Sequence, residues 1–103
     1  MTINEVYSLI NTMPHTESIW IEDINLRKEK YTKILKSGDN KQLVKLIRTL
    51  YLEKVEVKKL YVNDEKIMTD AEKLLHEEFA LVLDIKVDEV LPFILGKLEV
   101  LQK

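Results

Sequence analysis

Positively charged side chains are concentrated in one stretch of this 103-residue chain. Residues 24–48 carry eight Lys or Arg and two acids, a local balance of +6, whereas residues 60–103 carry five Lys and ten acids. Ammonium and guanidinium groups bind phosphate, so the cluster indicates a surface for an anion, with nucleic acid the first candidate. A solubilising helix surface is an equally good interpretation of the charge alone. The basic residues are Arg27, Lys28, Lys30, Lys33, Lys36, Lys41, Lys45 and Arg48.

The spacing of three of these residues predicts a basic helix face. Lys41, Lys45 and Arg48 stand at positions i, i+4 and i+7, which lie on one side of an α-helix. Side chains on such a face contact DNA phosphates, and the affinity then falls steeply with salt. Arg48 has a second interpretation, in which it pairs with an acid at a helix junction.

The single tryptophan, Trp20, lies in a polar loop just before the basic stretch. In one interpretation it is a core aromatic that packs beside Ile19 and Ile21. In the other it is exposed and stacks on a base step of opened or kinked DNA. The neighbouring Glu22 and Asp23 oppose a close approach of phosphate, so the second interpretation requires contact with bases or a distorted groove edge.

Motifs for catalysis or metal binding are missing from the sequence. His76-Glu77-Glu78-Phe79-Ala80 begins like a zinc-protease motif, but Ala80 occupies the position of the second histidine. His15 lies alone beside Pro14, and there is no Gly-rich phosphate loop, nucleophile elbow or calcium-loop pattern. We therefore expect a protein that is not an enzyme and needs no cofactor and no metal.

Composition predicts an all-α fold, a compact bundle of about five helices. Two Gly and two Pro are few for a sheet protein, and 46% apolar residues are enough for a core. We expect residues 1–103 to form a single helical domain. The chain has no Cys, no signal-peptide pattern and no apolar run of membrane-spanning length, which favours a cytoplasmic protein without membrane contact.

Local signals set the expected helix bounds. Gly38 is a C-terminal stop, and its short connection to Asp39 predicts two steeply angled helices. Pro92 leaves two possibilities for the last helix, since Pro belongs near a first turn: the helix begins near Leu91, or its first turn is distorted. The predicted helices are 3–11 capped by Thr2, 24–36 by Asp23, 40–58 by Asp39 with Gln42 completing a capping box, a fourth capped by Asn63, and 87–101.

The spaced residues around Gly38 resemble the helical C-terminal domain of the CarD family of bacterial transcription regulators. The similarity rests on Ser37-Gly38-Asp39 followed by Leu46-Ile47-Arg48 and Leu50-Tyr51, with Arg27, Tyr31 and Leu35 before it. It continues through Asp64-Glu65-Lys66 to Glu78-Phe79-Ala80 and covers nearly all of the chain.

The resemblance implies a non-enzymatic, DNA-binding module in the bacterial cytoplasm, associated with the nucleoid. Full-length CarD proteins bind RNA polymerase through an N-terminal domain, and their helical domain contacts promoter DNA at the upstream edge of the transcription bubble and stabilises the open complex. By resemblance, Trp20 is the minor-groove wedge, and Arg27 and Lys28 are the nearest phosphate contacts. The wedge Trp of the family, however, falls near Ile24, four residues after Trp20.

No segment of this chain resembles the polymerase-binding domain, so we expect a C-terminal fragment of a longer regulator. Such a fragment is expected to be a monomer that binds promoter DNA weakly, mostly through the backbone, and forked DNA better than duplex. The predicted DNA-binding residues are Trp20, Arg27, Lys28, Lys30, Lys33, Lys41, Lys45 and Arg48. The alternative is a helical protein–protein interaction or dimerisation module that uses the acidic second half or residues 87–101.

Overall fold

The computed structural model describes residues 1–58 and 60–101, and these residues form a helical bundle without strands. Its helices are α1 (Ile3–Thr12), α2 (Ile24–Ser37), α3 (Asn40–Val57), α4 (Val62–Leu83) and α5 (Val87–Leu101). A 3-10 turn, Met13–His15, follows α1. The predicted all-α class and the bundle of about five helices are confirmed.

Side-chain caps start the first three helices where the sequence predicts them. The Thr2 hydroxyl accepts from Glu5 N at 3.2 Å, and an Asp23 carboxylate oxygen accepts from Leu26 N at 2.9 Å. Asp39 accepts from Lys41 N at 3.0 Å and so caps α3. Half of the predicted capping box at α3 forms, since Asp39 also accepts from Gln42 N at 3.4 Å. The return hydrogen bond is replaced, because Asp39 N donates to the Ser37 hydroxyl at 3.2 Å and not to the Gln42 side chain.

The predicted start of α4 is wrong. Tyr61 is the N-cap, with an extended backbone and no side-chain capping hydrogen bond, and Asn63 therefore lies within the first helical turn. Asp64 and Glu65 also lie in that turn. Their negative charge interacts favourably with the positive end of the helix dipole. This interaction stabilises the helix start, as a capping side chain would.

Helix α5 begins before its proline, so the alternative start near Leu91 is wrong. The helix starts at Val87 with Pro92 inside it. Its first hydrogen bond is of the 3-10 type, since Glu89 N donates to Lys86 O, three residues earlier, at 2.9 Å. Lys86 N in turn donates to the Glu89 carboxylate at 3.1 Å. Hydrogen bonds of this three-residue kind are common at helix termini, so the distortion of the first turn by Pro92 stays a prediction.

Gly38 ends α2 in the left-handed conformation, with a φ of 66°. The start of α2 and the end of α3 line one common groove. This left-handed residue allows the chain to turn sharply between α2 and α3. The steep angle expected from the short connection stays a prediction.

The core is organised around α4, the longest helix, which packs against α3, α2, α5 and α1. Its inner face is fully apolar over most of its length, and α3 supplies the matching leucines. This arrangement fixes the position of α2 and α3, which carry the basic residues. The buried core residues include Val6, Ile10, Tyr31, Leu43, Leu46, Leu50, Ile67, Ala71, Leu75, Phe79, Val90 and Ile94.

Candidate nucleic-acid interface

Four lysines surround the turn between α2 and α3, and we call them the turn lysines: Lys33, Lys36, Lys41 and Lys45. The first three are exposed and Lys45 is half-buried. Lys33 and Lys36 belong to the last turns of α2, and Lys41 and Lys45 to the first turns of α3. Because only Gly38 and Asp39 separate the two helices, these positive charges lie on both sides of one short connection.

The turn lysines are little neutralised by neighbouring acids. Lys33 Nζ lies 3.5 Å from a Glu29 carboxylate oxygen, and both side chains are about two-thirds exposed, at 68% and 63%. Exposed pairs one helical turn apart contribute little, so this one is easily exchanged for a phosphate. Among the described residues no carboxylate forms an ion pair with the other three. Lys28 and Lys30, which lie nearer the start of α2, are also exposed.

Arg48 does not extend this surface in the way that its spacing predicts. Its side chain is half-buried, and one terminal nitrogen donates to the Pro14 carbonyl at 3.5 Å. Its Nε is buried without a hydrogen-bond partner among the described residues. Arg48 thus joins α3 to the 3-10 turn through a carbonyl group and not through an acid.

Arg27 is buried, although the resemblance implies that it contacts phosphate. Only 2% of the residue is exposed. Its Nε donates to one Asp64 oxygen at 3.1 Å and a terminal nitrogen donates to the other at 2.8 Å, while the second terminal nitrogen donates to Ile21 O at 2.9 Å. The hydrogen bonds that the guanidinium donates to Asp64 raise the pKa of Arg27. All three nitrogens of the guanidinium thus donate within the protein, and this arrangement is typical of a structural ion pair and not of a phosphate contact.

Trp20 is half-buried and lies against this ion pair. The Arg27 Cζ atom is 4.3 Å from the centre of the indole ring, a cation–π contact. Partly buried, the ring also packs against the hydrophobic core. Trp20 therefore has the position of the core aromatic, partly buried and with a ring face on a buried charge.

The loop that carries Trp20 is fastened to the helices on both sides. Ile19 N donates to the Thr49 hydroxyl of α3 at 3.0 Å. The Tyr31 hydroxyl of α2 donates to Ile19 O, also at 3.0 Å. Burial raises the pKa of Tyr31 to about 12, so this donor keeps its proton at neutral pH. The loop therefore holds the indole ring in a defined place.

Beside Trp20 is an open groove of about 960 Å³. We call it the tryptophan groove; the start of α2, the end of α3 and the start of α4 form its walls. Its surface is apolar and acidic: Tyr61 and Val57 lie among the apolar residues, and Glu22, Glu53 and Glu56 among the acids. Carboxylates repel phosphate, so the groove is a poor place for DNA to reach Trp20.

Asp64 is the residue that sequence reasoning missed. It is 2% exposed, deep between α2 and α4. A signal for it exists, because Asp64, Ile67 and Ala71 stand at i, i+3 and i+7 on the apolar face of α4. An acid at a core position requires a cation, and Arg27 occupies the equivalent core position four residues before the buried Tyr31.

The described residues contain no cluster of three His, Cys, Asp or Glu side chains that could hold a metal ion. Burial lowers the pKa of His76, and the nearby Glu72 acts in the opposite direction. A neutral imidazole with one carboxylate beside it is an ordinary packing arrangement. None of the described helices is long and apolar enough to cross a membrane.

Comparison with known proteins gives one family. The family described as "CarD, C-terminal domain" matches residues 5–94. No curated protein and no solved structure gives a significant match. The chain belongs to the CarD C-terminal domain family, which confirms the resemblance in the sequence. The family is a type of transcription regulator and not a known type of enzyme, so the chain is a CarD-like transcription factor domain.

Proposed function

We propose that this CarD C-terminal domain binds the backbone of promoter DNA at the upstream edge of the transcription bubble and so helps RNA polymerase to hold the open complex. The observation that supports the proposal best is the set of turn lysines. Four cations, three of them exposed, lie within two helical turns of Gly38 on the two helices that it joins. Lys28 and Lys30 supply further charge along α2.

Binding of this kind is weak and nearly independent of sequence. Lysines contact phosphates as point charges, and phosphate contacts carry no base information. The site on the promoter is then set by the polymerase that positions the domain, which we propose as its protein partner. Tethering raises the effective concentration of the domain at the DNA, so a weak contact is sufficient.

The wedge is not part of this proposal. Trp20 is stacked on Arg27 and is among the residues that line the acidic tryptophan groove. We therefore expect the isolated chain to bind a forked promoter fragment and the closed duplex with similar affinity. Trp20→Ala is expected to lower the melting temperature, because it uncovers the buried ion pair, without a selective loss of fork binding.

Fluorescence anisotropy with labelled promoter DNA at several salt concentrations tests the proposal. In the variant Lys33→Gln/Lys36→Gln/Lys41→Gln/Lys45→Gln the slope of log affinity against log salt should fall by about 0.9 for every lost phosphate contact. The matched control, Lys54→Gln/Lys66→Gln/Lys73→Gln/Lys86→Gln, makes the same change of charge at exposed positions elsewhere. Circular dichroism melts verify that both variants fold.

Equal losses in the two variants would mean that net charge, and not the turn lysines, attracts the DNA. An affinity that does not depend on salt would exclude phosphate contacts altogether. A fork preference that Trp20→Ala removes without a change in melting temperature would restore the wedge. Each of these results contradicts the proposal in a different part.

A further inference from the structure

We propose that the tryptophan groove binds a short segment of a partner protein in which Lys or Arg alternates with apolar residues. The proposal does not depend on the DNA-binding function, because the groove and the turn lysines share no residues. The groove has a volume of about 960 Å³, which is sufficient for a few side chains. Its aromatic, acidic and apolar parts each select a feature of the occupant.

The aromatic part already holds one guanidinium. The Arg27 Cζ atom lies 4.3 Å from the centre of the Trp20 ring and 5.8 Å from that of Tyr61. The positive charge of Arg27 is balanced by Asp64 at 2.8 Å, so it repels a second cation only weakly. Tyr61 remains 63% exposed and can take that second cation on its open surface.

The acidic part gives the groove its charge preference. Glu22, Glu53 and Glu56 line it, and Arg27 is the one cation among the residues of its described wall. None of the three glutamates has a Lys or Arg within ion-pair distance in the part of the chain that the structure describes. The three carboxylates attract basic side chains and repel both phosphates and acidic segments.

The apolar part indicates that the cation is carried by a peptide and not by a small ion. Ile24, Val57 and Val62 are exposed by 51%, 52% and 84%, and all three line the groove. Exposed apolar side chains next to charged ones are typical of a surface that binds protein. An occupant with both basic and apolar side chains satisfies the carboxylates and covers these residues together.

The probe is an amidated hexapeptide of alternating Arg and Leu, added to the full chain. Trp20 is the only tryptophan, so its fluorescence reports occupation of the groove directly. We expect saturable binding that weakens at least about fivefold in Glu53→Gln/Glu56→Gln, since two charge contacts are lost. Glu65→Gln/Glu77→Gln, an equal change of charge at exposed positions of α4, should leave the affinity unchanged.

Three results would overturn the proposal. The first is an equal loss of affinity in the two glutamate variants, and the second is equally good binding of a control peptide with Glu in place of Arg. The third is a sedimentation profile in which the chain alone forms dimers that Val57→Asp/Val62→Asp dissociates, because the groove is then occupied by a second copy. Melting curves of all variants exclude loss of folding as the cause.

Discussion

At the scale of single residues, burial distinguishes Arg27 from the lysines that follow it in the sequence. A charged side chain that is removed from water costs several kcal/mol unless a partner of opposite charge and good hydrogen bonds compensate it. Arg27 has both, in Asp64 and the Ile21 carbonyl. Lys28 and Lys30, which follow it in α2, are exposed to solvent, where their charge remains available to a ligand.

Removal of Asp64 should therefore be one of the most damaging single changes in the chain. Asp64→Ala leaves the Arg27 guanidinium buried without its carboxylate, and we expect the free energy of unfolding to fall by about 3–5 kcal/mol. Urea denaturation followed by circular dichroism measures the loss. Asp70→Ala removes the same charge from an exposed position of α4 and should change the stability by no more than about 0.5 kcal/mol.

A double replacement separates the cost of an unpaired charge from the cost of lost packing. Arg27→Met/Asp64→Leu fills the same space without charge, and we expect it to recover most of the stability that Asp64→Ala loses. If Asp64→Ala is no worse than Asp70→Ala, the ion pair is not buried in solution. The cation–π arrangement around Trp20 would then need a different explanation.

The sequence contains part of the information about this site. The apolar spacing around Arg27 and Asp64 places both on core faces of their helices. It does not reveal that the two residues meet, since they are 37 positions apart and only the packing of α2 on α4 joins them. The sequence also leaves the role of Trp20 open, because the cation that covers the indole ring belongs to another element.

At the scale of helices and turns, local chemistry predicts a boundary well where a side chain makes it. Thr2, Asp23 and Asp39 cap their helices within three residues of their own positions. Helix α4 starts instead where tertiary contacts place it, because Leu60 is 4% exposed in the core and anchors the chain just before Tyr61. Such an anchor has no local signature.

The start of α5 shows the same limit. Pro92 has no N–H to donate to Asp88 O, and this defect favours a helix that begins later. Burial of Val90 and Ile94, at 0% and 5% exposure, nevertheless keeps the segment before and after Pro92 helical. The sequence thus supplied both possibilities, and the packing of α5 on α4 and α1 decides between them.

The two glycines give a matched test of backbone conformation. A methyl group added at Gly38 or at Gly96 would contact nothing within 4 Å, so packing does not distinguish them. Gly38 has a φ of 66°, whereas Gly96 is inside α5. We expect Gly38→Ala to destabilise the fold by about 1–2 kcal/mol and Gly96→Ala to stabilise it by about 0.5–1 kcal/mol.

Thermal and urea unfolding of the two variants against the parent chain measure both shifts. The opposite signs are the essential result, because both replacements add the same methyl group. A loss of stability in Gly96→Ala would indicate that α5 is not helical at this position. A neutral Gly38→Ala would show that the turn between α2 and α3 adopts another conformation.

At the scale of the whole molecule, α3 separates two regions of opposite charge. Lys41 lies in its first turn and Glu56 in its last, and fifteen residues at 1.5 Å each place them about 22 Å apart along the helix. The Debye length at physiological salt is about 8 Å. The field of the turn lysines is therefore largely screened at the tryptophan groove, and each region selects its own class of ligand.

The separation predicts that DNA and a basic peptide bind at the same time. In physiological salt, saturation with promoter duplex should change the affinity of the Arg/Leu hexapeptide by less than about twofold. Even the nearest charges of the two regions on α3, Lys45 and Glu53, are about 12 Å apart along the helix, which is more than one Debye length. At low salt the Debye length grows to about 30 Å, and negative DNA at one end should then strengthen binding of the positive peptide at the other.

Titration of the chain with the peptide, followed by Trp20 fluorescence at each salt concentration with and without DNA, measures this coupling. A titration of the peptide against DNA alone is the control for direct binding between these two. Displacement of the peptide by DNA would place the nucleic acid in the groove and restore a DNA role for Trp20. Loss of peptide binding in Glu53→Gln/Glu56→Gln with normal DNA binding, and the reverse in the turn-lysine variant, would show two independent surfaces. Only that pattern agrees with a domain that holds promoter DNA at one end of α3 and a protein segment at the other.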